Sequence, residues 1–300
     1  MDLPVPSLPT PIQKIADAVT RQAGVHLYVK RDDLIHPAVS GNKWRKLKYN
    51  LIEARAQGFT SLLTFGGAFS NHIYATAAAG AYSGIKTIGV VRGENPGERK
   101  SSTLRFCEQQ GMELHYVTRE EYKRRNTLEY LNQLSDQFGK PFIIPEGGTS
   151  ALALPGVQEM AAEVTLQLKQ KPDYYAVAAG TGGTAAGILS TGHDVLAFSA
   201  LKGGGFLEDD IRNLVGDSDI SGSLKFFTEY HFKGYARHTP ALLEFILNFK
   251  NDHDIQLEQV YTGKMFFGLY DLMTEGFFEK GSIIVAVHTG GLQGLLPELR

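Results

Sequence analysis

The sequence predicts an α/β protein built from parallel sheets that helices cover on both faces. Short apolar runs, such as 61–65 and 282–287, alternate along the chain with longer segments of helical spacing. An unbroken apolar run is typical of a strand buried on both faces, and alternation of strands with helices is typical of parallel sheets. The predicted architecture is therefore two open three-layer α/β domains with a cleft between them.

The first half of the chain contains one compact parallel unit. Residues 25–30 are predicted as a strand because apolar and polar residues alternate there before a charged turn. Apolar spacing predicts a helix over 47–56, and the alanine-rich segment 70–82 predicts another. The same two patterns predict the remaining elements: strands at 61–65, 87–91, 114–117 and 141–144, and helices at 103–110 and 127–138.

A second parallel unit follows. Its predicted strands are 174–179, 194–198, 224–227 and 282–287, and its predicted helices are 157–168, 242–249 and 265–273. Three consecutive glycines at 203–205, followed by Asp209 and Asp210, predict a mobile loop. We assign 1–46 and 150–300 to a larger domain and 47–149 to a smaller one.

Composition argues against several classes of partner. The formal net charge of −2 over 300 residues provides no long-range field for nucleic acid or an anionic membrane, and no apolar run approaches the roughly 20 residues that cross a bilayer. The one cysteine, Cys107, cannot form an internal disulfide, and its helical stretch favours a small buried side chain over a nucleophile. The nine histidines lack zinc-type spacing, so we expect no metal. Because the start of the chain lacks a secretory pattern, we expect a cytoplasmic protein.

A lysine on a tight polar turn is the first candidate catalytic residue. Lys43 follows the Ser-Gly-Asn turn 40–42, whose side chains can fix the turn, and it precedes a predicted helix. Three basic residues lie nearby in the sequence: Arg45, Lys46 and Lys48. Positive neighbours would lower the pKa of Lys43 and favour a neutral, nucleophilic amine. The alternative is an ordinary solvated basic face.

A glycine-rich loop is the second candidate. It joins an apolar strand to a predicted helix and consists of Gly180, Thr181, Gly182, Gly183 and Thr184. Backbone N–H groups at a helix start favour a phosphate, although such a turn can also serve tight packing alone. The spacing matches neither the dinucleotide fingerprint nor the nucleotide-triphosphate loop, which argues against NAD and ATP. A lysine for a Schiff base and a loop for a phosphate together indicate pyridoxal phosphate.

Three further turns place polar side chains beside these two. Ser70 and Asn71 lie at a predicted helix start, where unpaired donors could bind a carboxylate or Ser70 could simply cap the helix. Thr289 follows the apolar run 282–287 at a predicted sheet edge, where ligands of open α/β folds bind. Tyr261 and Thr262 belong to a polar turn before another helix.

Taken together and in this order, the turns resemble pyridoxal-phosphate enzymes of the tryptophan-synthase-β-like fold type. The similar branch contains 1-aminocyclopropane-1-carboxylate deaminases and D-cysteine desulfhydrases. Seven segments spanning nearly the whole chain carry the resemblance: 30–33, 41–47, 66–72, 145–148, 180–184, 261–264 and 288–291. The resemblance implies a cofactor cleft between two domains, with the larger domain binding pyridoxal phosphate, and a homodimer.

The resemblance also implies how the cofactor is held. Lys43 would form the Schiff base, and Lys46 would assist the 180–184 loop in holding the phosphate. Asn71 would donate a hydrogen bond to the pyridine 3'-oxygen. Thr289 would face the pyridine nitrogen.

The substrate would be a small amino acid held by the same turns. The resemblance implies that Ser70, Asn71 and His72 bind its carboxylate, and that Tyr261 and Thr262 lie beside it. Lys43, Ser70 and Tyr261 would be the catalytic residues, with Lys43 as the base and Tyr261 as an acid or base.

Two threonines favour one activity within this branch. The deaminases resemble Tyr-Glu-Gly-Lys and His-Leu-Gly-Gly where this chain has Thr262 and Thr289, and the desulfhydrases resemble this chain. A neutral threonine cannot supply the carboxylate charge that supports a protonated pyridinium. The resemblance therefore favours a D-cysteine desulfhydrase that forms pyruvate, ammonia and sulfide.

Three alternatives remain open. The nearest is 1-aminocyclopropane-1-carboxylate deamination on the same scaffold. The second is a non-catalytic binding protein of this fold, because Phe69 and Ala185 depart from the residues common in the family. The third is an NAD oxidoreductase, which the lack of a nucleotide fingerprint disfavours.

Overall fold

The computed structural model of the protein describes residues 3–216 and 221–300. The strands in this part of the chain are β1 Ile12–Ile15, β2 His26–Lys30, β3 Ser61–Gly66, β4 Lys86–Arg92, β5 Glu113–Val117, β6 Phe142–Ile144, β7 Tyr174–Ala179, β8 Asp194–Ser199, β9 Leu224–Phe227 and β10 Ile283–Val287. The α-helices are α1 Ala18–Ala23, α2 Asn42–Ala56, α3 Asn71–Ser83, α4 Ser102–Gln109, α5 Arg119–Lys123, α6 Leu128–Gln137, α7 Leu154–Leu168, α8 Gly183–Leu189, α9 Phe206–Val215, α10 Pro240–His253 and α11 Thr262–Thr274.

The smaller sheet has the strand order β5-β4-β3-β6, and all its pairs are parallel. Neighbouring residues of β3 point to opposite faces, as the pleat requires. Leu62 packs in a core with residues of α2 and α3, whereas Leu63 packs in a core with residues of α5 and α6. Helices on both faces explain why the strands are apolar throughout.

The larger sheet has the strand order β1-β2-β10-β7-β8-β9. Its pairs are parallel except for the edge pair of β1 with β2. Ala176 of β7 faces the core formed with α10 and α11, and Tyr175 faces the core formed with α7, α8 and α9. The predicted three-layer α/β architecture is confirmed in both sheets.

Several segments differ from their predictions, and the short helices α1 and α5 were not predicted. The loop expected around Asp209 and Asp210 is wrong, because these residues lie within α9, whose Leu207 and Ile211 are buried one helical turn apart. Strand β1 was not predicted; it is a short, half-buried edge strand. The division into 1–46 with 150–300 and 47–149 stays a prediction, and α2 crosses its 46/47 boundary.

The fold brings several predicted turns to the carboxyl ends of parallel strands. Turns 66–70, 145–148, 180–182 and 288–291 follow β3, β6, β7 and β10. Ligands of open α/β sheets bind at this edge. None of the helices in the described ranges is both long and apolar enough to span a bilayer.

Candidate active site

The turn that carries Lys43 packs directly on the turn after β10. Gly41 has φ +63°, and a Cβ atom at this position would lie 1.9 Å from the carbonyl oxygen of Thr289. The backbone N–H of Asn42 donates to that same oxygen over 3.3 Å. Only glycine allows this approach, so the glycine fixes how α2 begins against the larger sheet.

Lys43 lies in the first turn of α2 and is partly buried. Within the described chain its amine forms no hydrogen bond or ion pair. Burial lowers the pKa of Lys43 to about 8. The predicted direction is confirmed but the predicted cause is wrong, because desolvation and not its positive neighbours lowers this pKa.

Arg45 belongs to a buried ion network. It donates to Asp32 after β2 and to Glu163 on α7, and Lys30 donates to Glu163 over 2.8 Å. Asp32 also accepts from Thr10 over 2.7 Å. Two positive and two negative groups balance, as burial of charge requires. Lys30 and Asp32 of the charged motif therefore help to fix α2 through this network.

Lys46 lies beside the glycine loop. Its Nζ donates to Thr149 Oγ1 over 3.1 Å, and that hydroxyl is 2.6 Å from Thr181 Oγ1. A Cβ atom at Gly183 would lie 2.8 Å from the Thr149 hydroxyl and 3.2 Å from Lys46 Cδ. Burial and the charge of Lys43 hold the pKa of Lys46 well below its ordinary value. The lysine, the two hydroxyls and the loop therefore form one cluster.

The same loop is joined to the Lys43 turn. Asn42 Nδ2 donates to Thr184 Oγ1 over 2.9 Å. Helix α8 begins at Gly183, so the last two residues of the loop already belong to the helix. Ala185 is buried inside α8.

The turn after β3 presents Ser70 and Asn71. Ser70 caps α3 by accepting from the backbone N–H of Ile73 over 3.3 Å. Asn71 Oδ1 accepts from Gln293 Nε2 over 2.5 Å, and Gly291 lies close to Asn71 Nδ2. Asn71 therefore faces the turn after β10. Phe69 is 62% exposed, so it lies at the surface and does not fill an interior pocket.

His72 is buried between β3 and the turn after β6. Its Nε2 is 2.7 Å from Thr64 Oγ1, and its Nδ1 has no hydrogen-bond partner. A Cβ atom at Gly148 would lie 3.4 Å from Nδ1. Burial, followed by the charges of Lys43 and Lys46, holds the pKa of His72 well below its ordinary value.

Tyr261 packs on the first glycine of the loop. A Cβ atom at Gly180 would lie 2.7 Å from Tyr261 Cε1. The ring of Tyr235 is inclined by 66° to that of Tyr261, with 5.9 Å between the ring centroids. Burial, together with Tyr235, raises the pKa of Tyr261 well above its ordinary value, so the phenol stays protonated.

Thr262 is fully buried at the start of α11. Its hydroxyl accepts from the backbone N–H of Glu258 over 3.0 Å and lies 3.3 Å from Glu258 Oε1. The Glu258 carboxylate also accepts from three backbone N–H groups, those of Val260, Tyr261 and Thr262. Burial nevertheless raises the pKa of Glu258. The Thr262 hydroxyl therefore already has hydrogen-bond partners within the protein.

The structure brings together the Lys43 turn, the glycine loop, the Asn71 turn and the turn that carries Thr289. Sequence reasoning missed Thr149, Tyr235, Glu258 and Gln293, which contact the predicted residues. For Thr149 and Gln293 a signal exists, since Thr149 directly follows segment 145–148 of the family pattern and Gln293 lies two residues after segment 288–291. Within the described ranges no cluster of three metal-ligating side chains occurs.

Comparison with known proteins identifies the family of the chain. Residues 6–194 match the family model described as pyridoxal-phosphate dependent enzyme. A bifunctional D-cysteine desulfhydrase/1-aminocyclopropane-1-carboxylate deaminase of Arabidopsis thaliana is 32% identical over 97% of this chain and 78% of its own length. A D-cysteine desulfhydrase of Salmonella typhi is 29% identical over 96% of this chain and 93% of its own.

A solved structure of an ACC deaminase homologue superposes with a TM-score of 0.81 and 30% identity, covering 97% of this chain and 92% of that one. The predicted fold type and cofactor are therefore confirmed. The chain belongs to the pyridoxal-phosphate-dependent enzymes, in the group of 1-aminocyclopropane-1-carboxylate deaminases and D-cysteine desulfhydrases.

Proposed function

We propose that the protein is a lyase that converts D-cysteine and water into pyruvate, ammonia and sulfide. The observation that carries the proposal is Lys43, whose amine has a pKa of about 8 and lies on a turn bonded to the glycine loop. Around neutral pH an appreciable fraction of such an amine is neutral. A neutral amine can attack a carbonyl group and accept a proton.

The charges of the site fit a phosphorylated cofactor. Within the described chain neither Lys43 nor Lys46 forms an ion pair. A buried amine and a partly buried amine without a carboxylate favour a ligand with two negative charges. Lys46 and the 180–184 loop would hold the phosphate, with the hydroxyls of Thr149, Thr181 and Thr184 as further donors.

The side chains expected around the pyridine ring also have suitable donors. Asn71 Oδ1 is occupied by Gln293, which leaves Nδ2 to donate to the 3'-oxygen. The Thr289 hydroxyl has no hydrogen-bond partner within the described chain and would face the ring nitrogen. When bound, pyridoxal phosphate supplies the electron sink that stabilises a carbanion at the substrate α-carbon.

Lys43 and Tyr261 would move the protons. The Lys43 amine would take the α-proton, and the electron pair of that C–H bond would expel the β-sulfur as sulfide. Tyr261 keeps its proton, so it would donate to the departing sulfur and not act as a base. Water then hydrolyses the released enamine to pyruvate and ammonia.

The substrate carboxylate would bind at the start of α3. Ser70 supplies a hydroxyl there, and Asn71 and His72 supply backbone N–H groups of the first helical turn. Such groups favour an anion. A bound carboxylate would direct the α-carbon toward Lys43.

Thr262 and Thr289 support D-cysteine as the substrate. Deamination of 1-aminocyclopropane-1-carboxylate is the second candidate, and Glu258 favours it. A buried carboxylate 3.3 Å from the Thr262 hydroxyl could supply negative charge that a threonine lacks. The two candidates differ in product, since the cyclopropane substrate would give 2-oxobutanoate.

The first experiment tests the cofactor lysine. The purified wild type should show the visible absorption of lysine-bound pyridoxal phosphate, and borohydride should fix the cofactor to residue 43. Lys43→Ala should lose both properties. A wild type that never takes up the cofactor would contradict the proposal.

The second experiment tests the substrate. D-cysteine, L-cysteine, serine analogues and 1-aminocyclopropane-1-carboxylate are assayed for keto acid and sulfide, using the wild type and the Thr262→Glu/Thr289→Leu double variant. Pyruvate and sulfide from D-cysteine are expected. If 2-oxobutanoate is the only keto acid formed, the result favours the second candidate. Full cofactor occupancy without turnover of any substrate favours a binding protein. Our proposal also includes a cytoplasmic location and a homodimer.

A further inference from the structure

The imidazole of His72 is fixed on one side by Thr64. His72 Nε2 is 2.7 Å from Thr64 Oγ1, and Thr64 Oγ1 is 2.8 Å from the carbonyl oxygen of Ile144. A carbonyl oxygen can only accept, so the single hydroxyl proton of Thr64 lies between the two oxygens. His72 Nε2 must then carry the proton of its own hydrogen bond. Thr64 therefore fixes the tautomer of His72 that carries its proton on Nε2.

The opposite ring nitrogen carries a lone pair. With the proton on Nε2, a neutral ring can only accept at Nδ1. His72 is only 2% exposed, and its Nδ1 is buried and has no hydrogen-bond partner within the described chain. A buried acceptor without a donor is costly, so a donor is expected there.

Gly148 packs directly beside this lone pair. It has φ +66°, and a Cβ atom would lie 3.4 Å from His72 Nδ1, 3.1 Å from Cε1 and 3.6 Å from Lys46 Cβ. The Nδ1 side of the ring therefore faces Gly148 and the stem of Lys46. Burial, followed by the charges of Lys43 and Lys46, holds the pKa of His72 well below its ordinary value, which keeps the ring neutral.

We propose that His72 Nδ1 accepts a hydrogen bond from a primary amine of the site, and that Thr64 is the positioning residue that fixes the required tautomer. The amine is that of Lys43 or the α-amino group of the substrate; the second of these rests on the proposed function. An Nδ1 lone pair would repel a carboxylate. The carboxylate would therefore bind through Ser70 and backbone N–H groups, without the His72 side chain.

The tautomer can be observed directly. The holoenzyme is labelled with ¹⁵N-histidine, and long-range ¹H–¹⁵N correlations are recorded, with His72 assigned by its loss in His72→Gln and, independently, in His72→Asn. The wild type and Thr64→Ser should both show a neutral ring protonated at Nε2. Thr64→Val, which removes the acceptor without changing side-chain shape, should show a mixture of tautomers. A wild-type ring protonated at Nδ1 would overturn the proposal.

The acceptor role is tested with D-alanine, an amino acid that has no β-leaving group. Its addition to the holoenzyme should move the Nδ1 resonance toward that of a hydrogen-bonded nitrogen. An Nδ1 resonance unchanged both by D-alanine and by Lys43→Met would refute the role.

Kinetics provide the rescue test. Thr64→Val should lower kcat/KM for D-cysteine about tenfold, the upper range for one orienting hydrogen bond, and Thr64→Ser should recover most of it. Equal activity of the valine and serine variants would contradict the positioning role. A protein with no turnover at all contradicts the proposed function, while the NMR pattern still decides the role of His72.

Discussion

Asn42 Nδ2 donates to Thr184 Oγ1 over 2.9 Å and joins residues that are 142 positions apart. Asn42 precedes Lys43, and Thr184 ends the glycine loop. The lysine turn and the loop are therefore fixed relative to one another by the protein itself. Such preorganisation reduces the entropy lost when a ligand binds across both.

The lowered pKa of Lys43 predicts a pH-dependent stability. In the folded protein this pKa is about 8, against an ordinary value of 10.5. Between these values the unfolded chain binds more protons, so the free energy of unfolding should rise with pH. The cofactor-free wild type should gain on the order of 1–3 kcal/mol from pH 8 to pH 10.5 relative to Lys43→Met. Urea unfolding at both pH values measures this difference, and parallel pH profiles would contradict it.

Gly41→Ala should destabilise the protein and weaken cofactor binding. The new Cβ atom would meet the Thr289 carbonyl at 1.9 Å in a left-handed conformation, so the cost should be about 2–4 kcal/mol. Gly58→Ala is the matched control, since Gly58 has φ +74° but no atom within 4 Å of its Cβ position. It should cost only about 1 kcal/mol in backbone strain. Equal losses in urea unfolding would show that the contact with Thr289 is unimportant.

Glu163→Gln should be strongly destabilising. It removes one of two negative charges from the network and leaves Lys30 and Arg45 with Asp32 alone, at a cost of about 3–5 kcal/mol. Glu159→Gln, on the same helix, removes a more exposed pair with Lys48 and should cost less than about 1 kcal/mol. Denaturant unfolding of both variants at one pH measures the contrast. A Glu163→Gln loss no larger than that of Glu159→Gln would argue against the network.

Thr149→Val should weaken binding of pyridoxal phosphate. Valine removes the acceptor for Lys46 Nζ and the contact with Thr181 Oγ1, and the apparent Kd should rise about tenfold. Thr149→Ser keeps the hydroxyl and should bind nearly as the wild type does. Titration of cofactor-free protein with pyridoxal phosphate, followed by absorbance, measures Kd. Identical affinities for valine and serine would contradict a role for this hydroxyl.

Local patterns in the sequence were sufficient for most of the sheets. Strands such as β7 and β10 are apolar because they are covered on both faces, so each is visible in its own residues. Helix α9 was missed because Gly203–Gly205 and two aspartates suggested a loop. Leu207 and Ile211 face the core one turn apart, while Asp209 and Asp210 lie between them in sequence. The apolar spacing of a helix was present in the sequence, but the glycines and aspartates led to the prediction of a loop.

The site was predictable where a turn follows a buried strand. Thr289 and the 180–184 loop were found in this way. Tyr235 and Glu258 were not found. Tyr235 reaches Tyr261 only through tertiary packing, and Glu258 reaches Thr262 through a hydrogen bond at the start of α11. The cause of the Lys43 pKa shift also depends on burial, which basic residues in the sequence do not reveal.

Three side chains within four residues at the start of α2 lie in three different environments. Lys43 is partly accessible, Arg45 enters the ion network and Lys46 meets Thr149. Each residue of an α-helix is rotated by about 100° from the one before it. One residue inserted between Gly41 and Lys46 would turn the later side chains by that angle, so the charges could no longer meet their partners. This short stretch should therefore tolerate no change of length, even where a substitution is accepted.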